Sequence, residues 1–346
     1  MVGHLGASLD LAPFRARQLI AWLYRRCVTD FSQMTDIAKT VRDELAARCI
    51  ISRPQCRTVL IAQDGTRKYL FQLADGNCIE SVLIHQPSRW TLCVSSQVGC
   101  AIGCSFCRTA KMGFKRNLLA AEIVGQVLAV KEDIARLSAH ETPPAAVEDF
   151  SNIVFMGMGE PLHNLDNVIR AVCILNDNLG LNYSARKITV STSGLVPAIK
   201  KFGASRAGAN LAISLNATTD AVRSVLMPIN KKYPIAELIG ALREYPLKRG
   251  RRITIEYVMI SGLNDTLADL ARLPKLLRGI PVKINLIPYN ASPEESYAPP
   301  PPAHVAFWQQ SLLDAGMNST IRWSKGLDIN AACGQLATAF KDKQAV

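Results

Sequence analysis

A CxxxCxxC motif occupies residues 100–107, with the sequence Cys100-Ala-Ile-Gly-Cys104-Ser-Phe-Cys107. Its three thiols are close enough in sequence to face one another across one loop, and the next cysteine downstream is Cys173. Structural zinc requires four protein ligands, usually as two separated pairs. A [4Fe–4S] cluster held by three thiolates keeps one iron open for another ligand. The motif therefore favours an iron–sulfur cluster, with zinc as the alternative.

On both sides of this motif, from about Trp90, short apolar β-type runs alternate with segments of helical length. Six strands are predicted at 91–95, 152–156, 187–191, 211–215, 253–259 and 282–287. Such alternation indicates an α/β fold in which helical crossovers connect a parallel sheet. Six units predict a partial (β/α)6 barrel of the TIM type, open on one side. In such sheets ligands bind at the carboxyl ends of the strands.

The segments outside the barrel are predicted to form three smaller units. Residues 1–55 carry two amphipathic helical patterns with several arginines, and we interpret them either as an RNA-docking domain or as a solvated face over packed helices. Residues 56–89 contain three β-type runs separated by Asp64-Gly65 and Asp75-Gly76-Asn77, which predicts a meander linking to the barrel at 90–325. Residues 326–346 form a C-terminal segment that contains one cysteine.

Composition excludes several classes of protein. Of 346 residues 49% are hydrophobic and 20% charged, which is typical of a soluble globular chain and not of a disordered one. The net charge of +12 indicates a polyanionic partner such as RNA, although a basic protein without one would look the same. Ten cysteines without an N-terminal signal sequence predict a cytoplasmic protein with thiol or metal chemistry. No apolar run of about 20 residues occurs, so we expect no membrane span.

Polar motifs follow several of the predicted strands. Gly157-Met-Gly159-Glu160-Pro161 comes after the second strand, where glycine permits close backbone approach and a carboxylate can accept from an ammonium group. Further polar residues close three later strands, namely Ser191, Ser214 with Leu215 and Asn216, and Asn290. Each motif alone would be interpreted as a turn or a cap. Four of them at one rim indicate a binding site.

The CxxxCxxC motif resembles that of the radical S-adenosylmethionine (SAM) enzymes, and Gly159-Glu160 resembles the element that binds the SAM amino group there. Within that class, Cys93-Val-Ser-Ser-Gln-Val-Gly-Cys100 and Ala332-Cys333-Gly-Gln-Leu336 resemble the RlmN/Cfr family of RNA methyltransferases. Similar matches occur at Phe14-Arg-Ala-Arg-Gln18, Met34-Thr-Asp36, Gly113-Phe-Lys-Arg-Asn117, Met227-Pro-Ile-Asn-Lys-Lys-Tyr233 and Gly262-Leu-Asn-Asp265. The resemblance thus covers nearly the whole chain.

The resemblance implies both the cofactors and the residues that hold them. A [4Fe–4S] cluster would be bound by Cys100, Cys104 and Cys107. Its open iron would take SAM, of which two molecules are used in each turnover. The residues that match the family's SAM contacts are Gly159, Glu160, Ser191, Ser214, Leu215, Asn216 and Asn290.

The resemblance also implies the path of the methyl group. One SAM methylates Cys333, and a radical derived from a second SAM removes hydrogen from that methyl group. The resulting carbon radical adds to an electron-poor ring carbon of adenine. Cys93 then releases the product by forming a transient disulfide with Cys333, a thiolate displacement in form. Glu80 matches the family's proton acceptor.

Two positions depart from the family pattern. The chain has Asn216 where the family commonly has histidine, and Asn330 where it commonly has aspartate near the reactive cysteine. Asn216 retains hydrogen-bonding capacity, whereas the loss of an acid at Asn330 leaves the target nucleotide less secure.

We therefore predict a cytoplasmic, monomeric RNA methyltransferase that modifies adenine C2 in 23S rRNA and, as in dual-specificity members, in tRNA. Its electron would come from a donor such as flavodoxin or ferredoxin. The alternatives are C8 methylation of rRNA or another RNA target, a non-catalytic iron–sulfur RNA-binding protein, and a radical SAM enzyme acting on a small molecule. The pair Cys93 and Cys333 argues against a mere binder, which needs neither thiol.

Overall fold

A computed structural model describes residues 1–140, 149–291 and 296–337 of the chain. The prolines at 143 and 144 fall outside these ranges, and so does part of the proline-rich segment predicted as a loop at 292–302. The end of the C-terminal segment, 338–346, is also outside them. All statements below concern the described residues.

The N-terminal residues form a helical module with a small core of its own. Its helices are α1 Val2–Leu9, α2 Pro13–Ile20, which continues as a π-helical turn at Ala21–Arg25, and α3 Lys39–Arg48. The core residues are Leu19, Trp22, Phe31, Met34, Ile37 and Leu45. The second helical pattern is predicted to begin at about Thr35, but α3 begins at Lys39, because Asp30 caps a short 3-10 turn at Phe31–Gln33 and the chain turns again before α3.

The predicted meander is present and belongs to the same sheet as the barrel. Strands β1 Gln55–Ile61, β2 Arg67–Gln72 and β3 Cys78–Gln86 pair antiparallel. β3 then pairs antiparallel with β4 Arg89–Cys93, the first strand of the barrel. The meander is therefore joined to the barrel by a continuous ladder of main-chain hydrogen bonds.

The CxxxCxxC motif lies in a loop closed by a small hairpin. Strands β5 Gln97–Gly99 and β6 Phe114–Asn117 pair antiparallel, and the loop between them contains α4 Arg108–Lys111. This hairpin follows β4 directly, so it holds the three cysteines above the carboxyl end of the first barrel strand.

The barrel consists of parallel strands connected by helices. After α5 Ala120–His140 come β7 Asn152–Phe155, α6 Leu165–Asn176, β8 Ile188–Thr192, α7 Val196–Ala204, β9 Asn210–Ser214, α8 Asp220–Leu226, α9 Ile235–Arg243, β10 Ile253–Met259, α10 Leu267–Leu276, β11 Val282–Pro288, α11 Pro302–Asp314 and β12 Ser319–Ile321. The sheet order is β1-β2-β3-β4-β7-β8-β9-β10-β11-β12. All six predicted strands are present, and the predicted α/β fold class is confirmed.

β12 is a seventh parallel strand, which was not predicted. It contains only three residues, pairs with β11, and brings the chain to the C-terminal segment. Central strands such as β10 are buried on both faces, which explains their nearly continuous apolar sequences. None of the helices in the described ranges is both long and apolar enough to cross a membrane.

Candidate active site

A central cavity lies at the carboxyl ends of the parallel strands, with about 1050 Å³ of space between protein atoms, partly open to solvent. The predicted site residues that line it are Cys100, Cys104, Cys107, Gly159, Glu160, Ser191, Ser214, Asn216, Asn290 and Cys333. Leu215 does not line it, because its side chain is buried in the hydrophobic core. Cys93 and Glu80 lie in neighbouring cavities. The fold thus brings together residues that are more than 230 positions apart in sequence.

The loop that carries the three thiols is held by backbone contacts that only glycine permits. Gly99 has φ +74°, and a Cβ at this position would lie 1.7 Å from the carbonyl oxygen of Gly113. That carbonyl accepts a hydrogen bond from the N–H of Cys100 at 3.1 Å. Farther along, Ser105 N–H donates to the carbonyl of Leu226 at 3.0 Å. The loop is therefore anchored both to its own hairpin and to α8.

Burial is the main influence on the loop thiols. It raises the pKa of Cys100 to about 12, with smaller contributions from Glu160 and Cys107. Burial also raises the pKa of Cys104 well above its ordinary value, and repulsion from Cys107 and Cys100 adds to this. No group of three or more His, Cys, Asp or Glu side chains in the described part of the chain has the arrangement of a metal site. The three thiols line one cavity.

The donor set fits an iron–sulfur cluster. Thiolates are the ligands of such clusters, and a bound cation reverses the repulsion that disfavours neighbouring thiolates. Cys333 lines the same cavity, but its electrostatic partners are Cys93 and Arg322. The CxxxCxxC loop itself supplies three thiols, which agrees with three protein ligands and not with a four-cysteine zinc site.

Glu160 is buried at the rim of the cavity, where backbone donors orient its carboxylate. One oxygen accepts from Leu162 N–H at 2.9 Å and the other from Ser193 N–H at 2.7 Å. Gly159 before it has φ +99°, and a Cβ there would lie 2.5 Å from the side chain of Gln97. Burial raises the pKa of Glu160, whereas these backbone donors lower it. The geometry presents an anchored carboxylate that is suited to a cationic ligand.

Two asparagines at the rim use their side chains to fix the protein backbone. Asn216, at φ +57°, accepts from Val258 N–H at 2.8 Å and donates to the sulfur of Met227 at 3.2 Å. Asn290 donates from Nδ2 to the carbonyl of Cys333 at 2.9 Å. Asn290 therefore attaches the C-terminal segment to the end of β11. Asn216, which stands where the family commonly has histidine, likewise fixes the backbone at the rim through Val258.

Cys93 and Cys333 face a second, smaller cavity, which we call the Cys93 cavity. It is lined by Cys93, Cys333, Met156, Ile287, Arg322, Leu336 and neighbouring residues, and several of these also line the central cavity. Both cysteines are free thiols. Burial raises the pKa of Cys93 to about 12, with a further increase from Cys333 and an opposing decrease from Arg322. The predicted thiol pair therefore lies where the two cavities adjoin.

Glu80 lies outside the central cavity, in a third one that also contains Lys68, Arg108 and Asn330. Its side chain, on β3, is fully buried and forms an ion pair with Lys68 Nζ at 3.3 Å. Lys68 Nζ also donates to the carbonyl of Asn330 in the C-terminal segment at 3.3 Å. Burial raises the pKa of Glu80, and Lys68 opposes that increase. The C-terminal segment borders both cavities, with Cys333 on the central one and Asn330 on this one.

Three polar residues that the sequence analysis missed belong to the site. Glu256 on β10 and Arg322 after β12 both line the central cavity. Arg223 is fully buried beneath it, donating to the carbonyls of Leu215 at 3.0 Å and Ser193 at 2.6 Å. A charged residue within the apolar sequence of β10 was a visible signal for Glu256. Arg322 follows a strand too short to be recognised, so it carried no comparable signal.

Comparisons with known proteins cover nearly the whole chain. Residues 4–51 match the family described as the ribosomal RNA large subunit methyltransferase N-terminal domain, and residues 94–273 match the radical SAM superfamily. The dual-specificity RNA methyltransferase RlmN of Pelobacter propionicus is 49% identical over 93% of this chain and 89% of its own length. The enzyme of the same name from Geobacter sulfurreducens is 51% identical over 93% of this chain and 86% of its own.

A solved structure agrees with these matches. The crystal structure of a radical SAM methyltransferase from Sphaerobacter thermophilus superimposes with a TM-score of 0.87. It is 44% identical in sequence and covers 96% of this chain and 95% of its own.

Proposed function

The chain belongs to the RlmN family of radical SAM enzymes, and from this we propose that it methylates an adenine ring carbon, C2, in 23S rRNA and tRNA. The family assignment confirms the predicted enzyme class and the predicted cofactors, a [4Fe–4S] cluster and SAM. Curated relatives named as dual-specificity RNA methyltransferases support RNA as the substrate. The observation that carries the proposal is the meeting of Cys333 with the CxxxCxxC loop in one cavity, with Cys93 beside it.

The residues of the central cavity are proposed to hold the cofactors. Cys100, Cys104 and Cys107 would hold the cluster, and the carboxylate of Glu160 would accept from the SAM ammonium group. Ser191 and Ser214 also line the cavity, and their hydroxyl groups can bind the polar parts of SAM. When bound, the cluster and SAM supply a carbon radical, which is chemistry that no amino-acid side chain provides.

Cys333 is proposed to carry the methyl group to be transferred, and Cys93 to release the product. The Asn290 side chain holds the Cys333 carbonyl, which fixes the backbone of the methyl carrier at the cavity. Cys93 lies at the end of a buried strand and lines a cavity that Cys333 also lines. A thiol in that position can attack the sulfur of Cys333 once the adenine is attached.

Glu80 is proposed as the group that accepts the adenine ring proton. Its ion pair with Lys68 keeps an otherwise disfavoured carboxylate available in a buried site. Glu80 lines a separate cavity, which residues of the C-terminal segment also line. The target base must therefore reach Glu80 beside residues 330–337.

The remaining proposals concern the protein's surroundings. The radical chemistry requires an external electron, for which flavodoxin or ferredoxin is our proposed donor. An enzyme acting on ribosomal and transfer RNA would work in the cytoplasm, and we propose that it acts as a monomer. Ultracentrifugation of the reconstituted protein would test the monomer, and turnover with each purified donor would test the electron source.

A Cys93→Ala variant tests the proposed function. Without the resolving thiol, the protein should accumulate covalently bound RNA, because the adduct on Cys333 cannot be released. Denaturing gels with labelled RNA would show a shifted band that nuclease removes. A Cys173→Ala variant is the control, since Cys173 is an exposed thiol on α6, and it should release methylated RNA normally. Free, unmodified RNA with both variants would contradict the proposal.

A further inference from the structure

Arg322 lies between the two cavities that the reactive cysteines share. It directly follows β12, and its backbone N–H donates to the carbonyl of Leu286 at 2.8 Å. This bond fixes the Arg322 backbone at the edge of the sheet. The side chain lines the central cavity and the Cys93 cavity, as Cys333 does. No other cationic side chain lines both cavities among the residues that the structure describes.

The guanidinium group of Arg322 makes few contacts with other polar groups. Nη1 donates to the sulfur of Met156 at 3.3 Å, and a thioether is a weak acceptor. Within the described ranges no carboxylate lies at ion-pair distance from Arg322. Glu256 lies on β10, two strands away from β12, and one of its oxygens accepts from Asn285 Nδ2 at 3.0 Å. A guanidinium has five donors, and among the described residues the Met156 sulfur is the one acceptor for the Arg322 side chain.

The electrostatic partners of Arg322 are the two cysteines and Glu256. Attraction to Cys333 is the main cause that raises the pKa of Arg322, with smaller contributions from Glu256 and Cys93. In return, Arg322 lowers the pKa of Cys93 against the effects of burial and Cys333, and the backbone of Met156 lowers it further; no other charged side chain in the described part of the chain has this effect. Lys325 also lines the Cys93 cavity, yet it has no comparable effect on the Cys93 thiol.

We propose that Arg322 is the positioning residue that stabilises the thiolates of Cys93 and Cys333 in the two steps where each must act as a nucleophile. The proposal rests on the proposed function and adds a role for a residue to which no role has been assigned. In the first step, the proton of Cys333 passes to solvent and the thiolate electron pair forms a bond to the SAM methyl carbon. The old carbon–sulfur bond breaks, and S-adenosylhomocysteine leaves with that electron pair.

In the second step, the Cys93 thiolate attacks the Cys333 sulfur of the RNA adduct. A sulfur–sulfur bond forms, and the bond between the Cys333 sulfur and the transferred carbon breaks. The electron pair stays on that carbon, which takes a proton, so the sulfurs are oxidised and the carbon is reduced. A dithiol reductant restores both thiols. Both steps need an anionic sulfur in a buried place, where a nearby cation has a larger effect than it has in water.

The test measures the acidity of Cys93 directly. Anaerobically reconstituted protein is treated with iodoacetamide over a range of pH, and peptide mass spectrometry gives the alkylation rate of Cys93 alone. Arg322→Gln should raise the midpoint by about one pH unit, which is a roughly tenfold lower rate at neutral pH. Arg322→Lys keeps the charge and should restore most of the wild-type profile. Lys325→Gln removes a charge from the same cavity and should leave the midpoint unchanged.

A second readout uses RNA. Arg322→Gln should accumulate the covalent protein–RNA complex, and that complex should decay faster as the pH is raised, whereas the complex of Cys93→Ala should persist at every pH. An unshifted midpoint in Arg322→Gln, or an equal shift in Lys325→Gln, would overturn the proposal. If wild-type protein forms no methylated RNA, the proposed function fails, while the alkylation profile still decides the role of Arg322.

Discussion

At the scale of single residues, the environment of each cysteine separates its chemistry from that of the others. Cys56 and Cys173 are exposed, and nothing in the described structure gives them a role. The three loop thiols lie together at one end of the central cavity, where burial and mutual repulsion make a cation their natural partner. Cys93 and Cys333 face Arg322, a fixed positive charge. In the proposed function, the same side chain therefore serves as ligand, carrier or nucleophile according to its neighbours.

The pair Glu80 and Lys68 leads to a prediction about pH. Burial raises the pKa of Glu80 above its ordinary value and Lys68 lowers it, so the carboxylate loses its charge as pH falls through this raised value. If Glu80 is the base, activity falls on the acid side at that point. Lys68→Met should move this acid limb to higher pH, because the opposing charge is gone. Single-turnover rates at saturating SAM and RNA, between roughly pH 5 and pH 9, measure it.

Lys68→Arg is the matched control, since it keeps the charge beside Glu80 and should leave the acid limb near its wild-type position. An acid limb that stays in place when Lys68 becomes Met would show that Glu80 is not the titrating group.

At the scale of elements, the cysteine loop depends on how closely two hairpin strands approach. A side chain at Gly99 would meet the Gly113 carbonyl at 1.7 Å, so Gly99→Ala requires the backbone of the hairpin to move. We expect this variant to lose cluster binding, with iron falling from about four to below about one per chain. Iron and sulfide analysis after anaerobic reconstitution measures the loss.

Gly76→Ala separates crowding from backbone strain. Gly76 also has a positive φ, +80°, but no atom lies within 4 Å of the place its Cβ would take. This variant should lose some stability and retain its iron. Equal iron loss in both variants would mean that strain, and not the close approach at Gly113, explains the effect.

The C-terminal segment is held by the meander, which gives the second prediction at this scale. Asp64, in the turn between β1 and β2, accepts from Gly326 N–H at 3.0 Å through Oδ2 and from Thr66 N–H at 2.9 Å through Oδ1. Asp64→Ala removes both bonds. Hydrogen exchange at Gly326 should become about tenfold faster or more, since a bond to a charged group contributes about 1.5–3 kcal/mol. Methyl transfer should slow while iron content stays unchanged.

Asp75→Ala provides the control for Asp64. Asp75 accepts from Asn77 N–H at 3.0 Å in the next turn of the meander, with the same local geometry, but forms no hydrogen bond with the described residues of the C-terminal segment, 326–337. Exchange at Gly326 should be unaffected in this variant. If Asp75→Ala speeds that exchange as much as Asp64→Ala does, the meander as a whole, and not the Asp64 contact, holds the segment.

The parts of the fold that the sequence could predict are those determined by neighbouring residues. The barrel strands are apolar runs flanked by turn residues, so local pattern was sufficient. β12 was missed because three residues form a strand only when β11 is beside them. The bond from Thr109 Oγ1 to the carbonyl of Leu336, at 2.6 Å, joins positions more than 220 residues apart, which no local pattern reveals.

In the candidate site, too, features set by neighbouring residues could be predicted and features set by distant contacts could not. Residues inside motifs could be predicted, because the CxxxCxxC spacing and the strand-end glycines and serines are recognisable in one dimension. The placement of Glu80 away from the central cavity could not be predicted, and neither could the position of Arg322 at both cavities that Cys333 lines. Both depend on the C-terminal segment folding back over the meander, and contacts of this kind are visible only in three dimensions.

At the scale of the whole molecule, the net charge of +12 predicts that RNA binding weakens steeply with salt. The N-terminal module provides a specific test of its docking role. Arg17 on α2 is exposed, whereas Arg25 in the same module donates to the Asn178 carbonyl at 2.7 Å. Arg17→Gln should lower the slope of log affinity against log salt by somewhat less than about one, the effect of one lost phosphate contact. Filter binding at several salt concentrations measures the slope.

Lys201→Gln is the control for that measurement, because Lys201 is an exposed cation on the outer helix α7, in the barrel. It removes the same charge and should leave the slope unchanged. An unchanged slope for Arg17→Gln would favour the alternative that the arginines of the module only solvate a packed helical face.

The central claim is that the methyl group reaches RNA by way of Cys333. The most direct measurement begins with enzyme from cells grown on methyl-deuterated methionine, so that Cys333 carries a deuterated methyl group. The enzyme is then allowed one turnover with unlabelled SAM and RNA, and the adenine nucleosides are analysed by mass spectrometry. If Cys333 is the carrier, the first-turnover product is a methyladenine in which two deuterium atoms remain, because one was removed by the radical. A methyl group free of deuterium would mean that it came from SAM in solution, and would contradict the account.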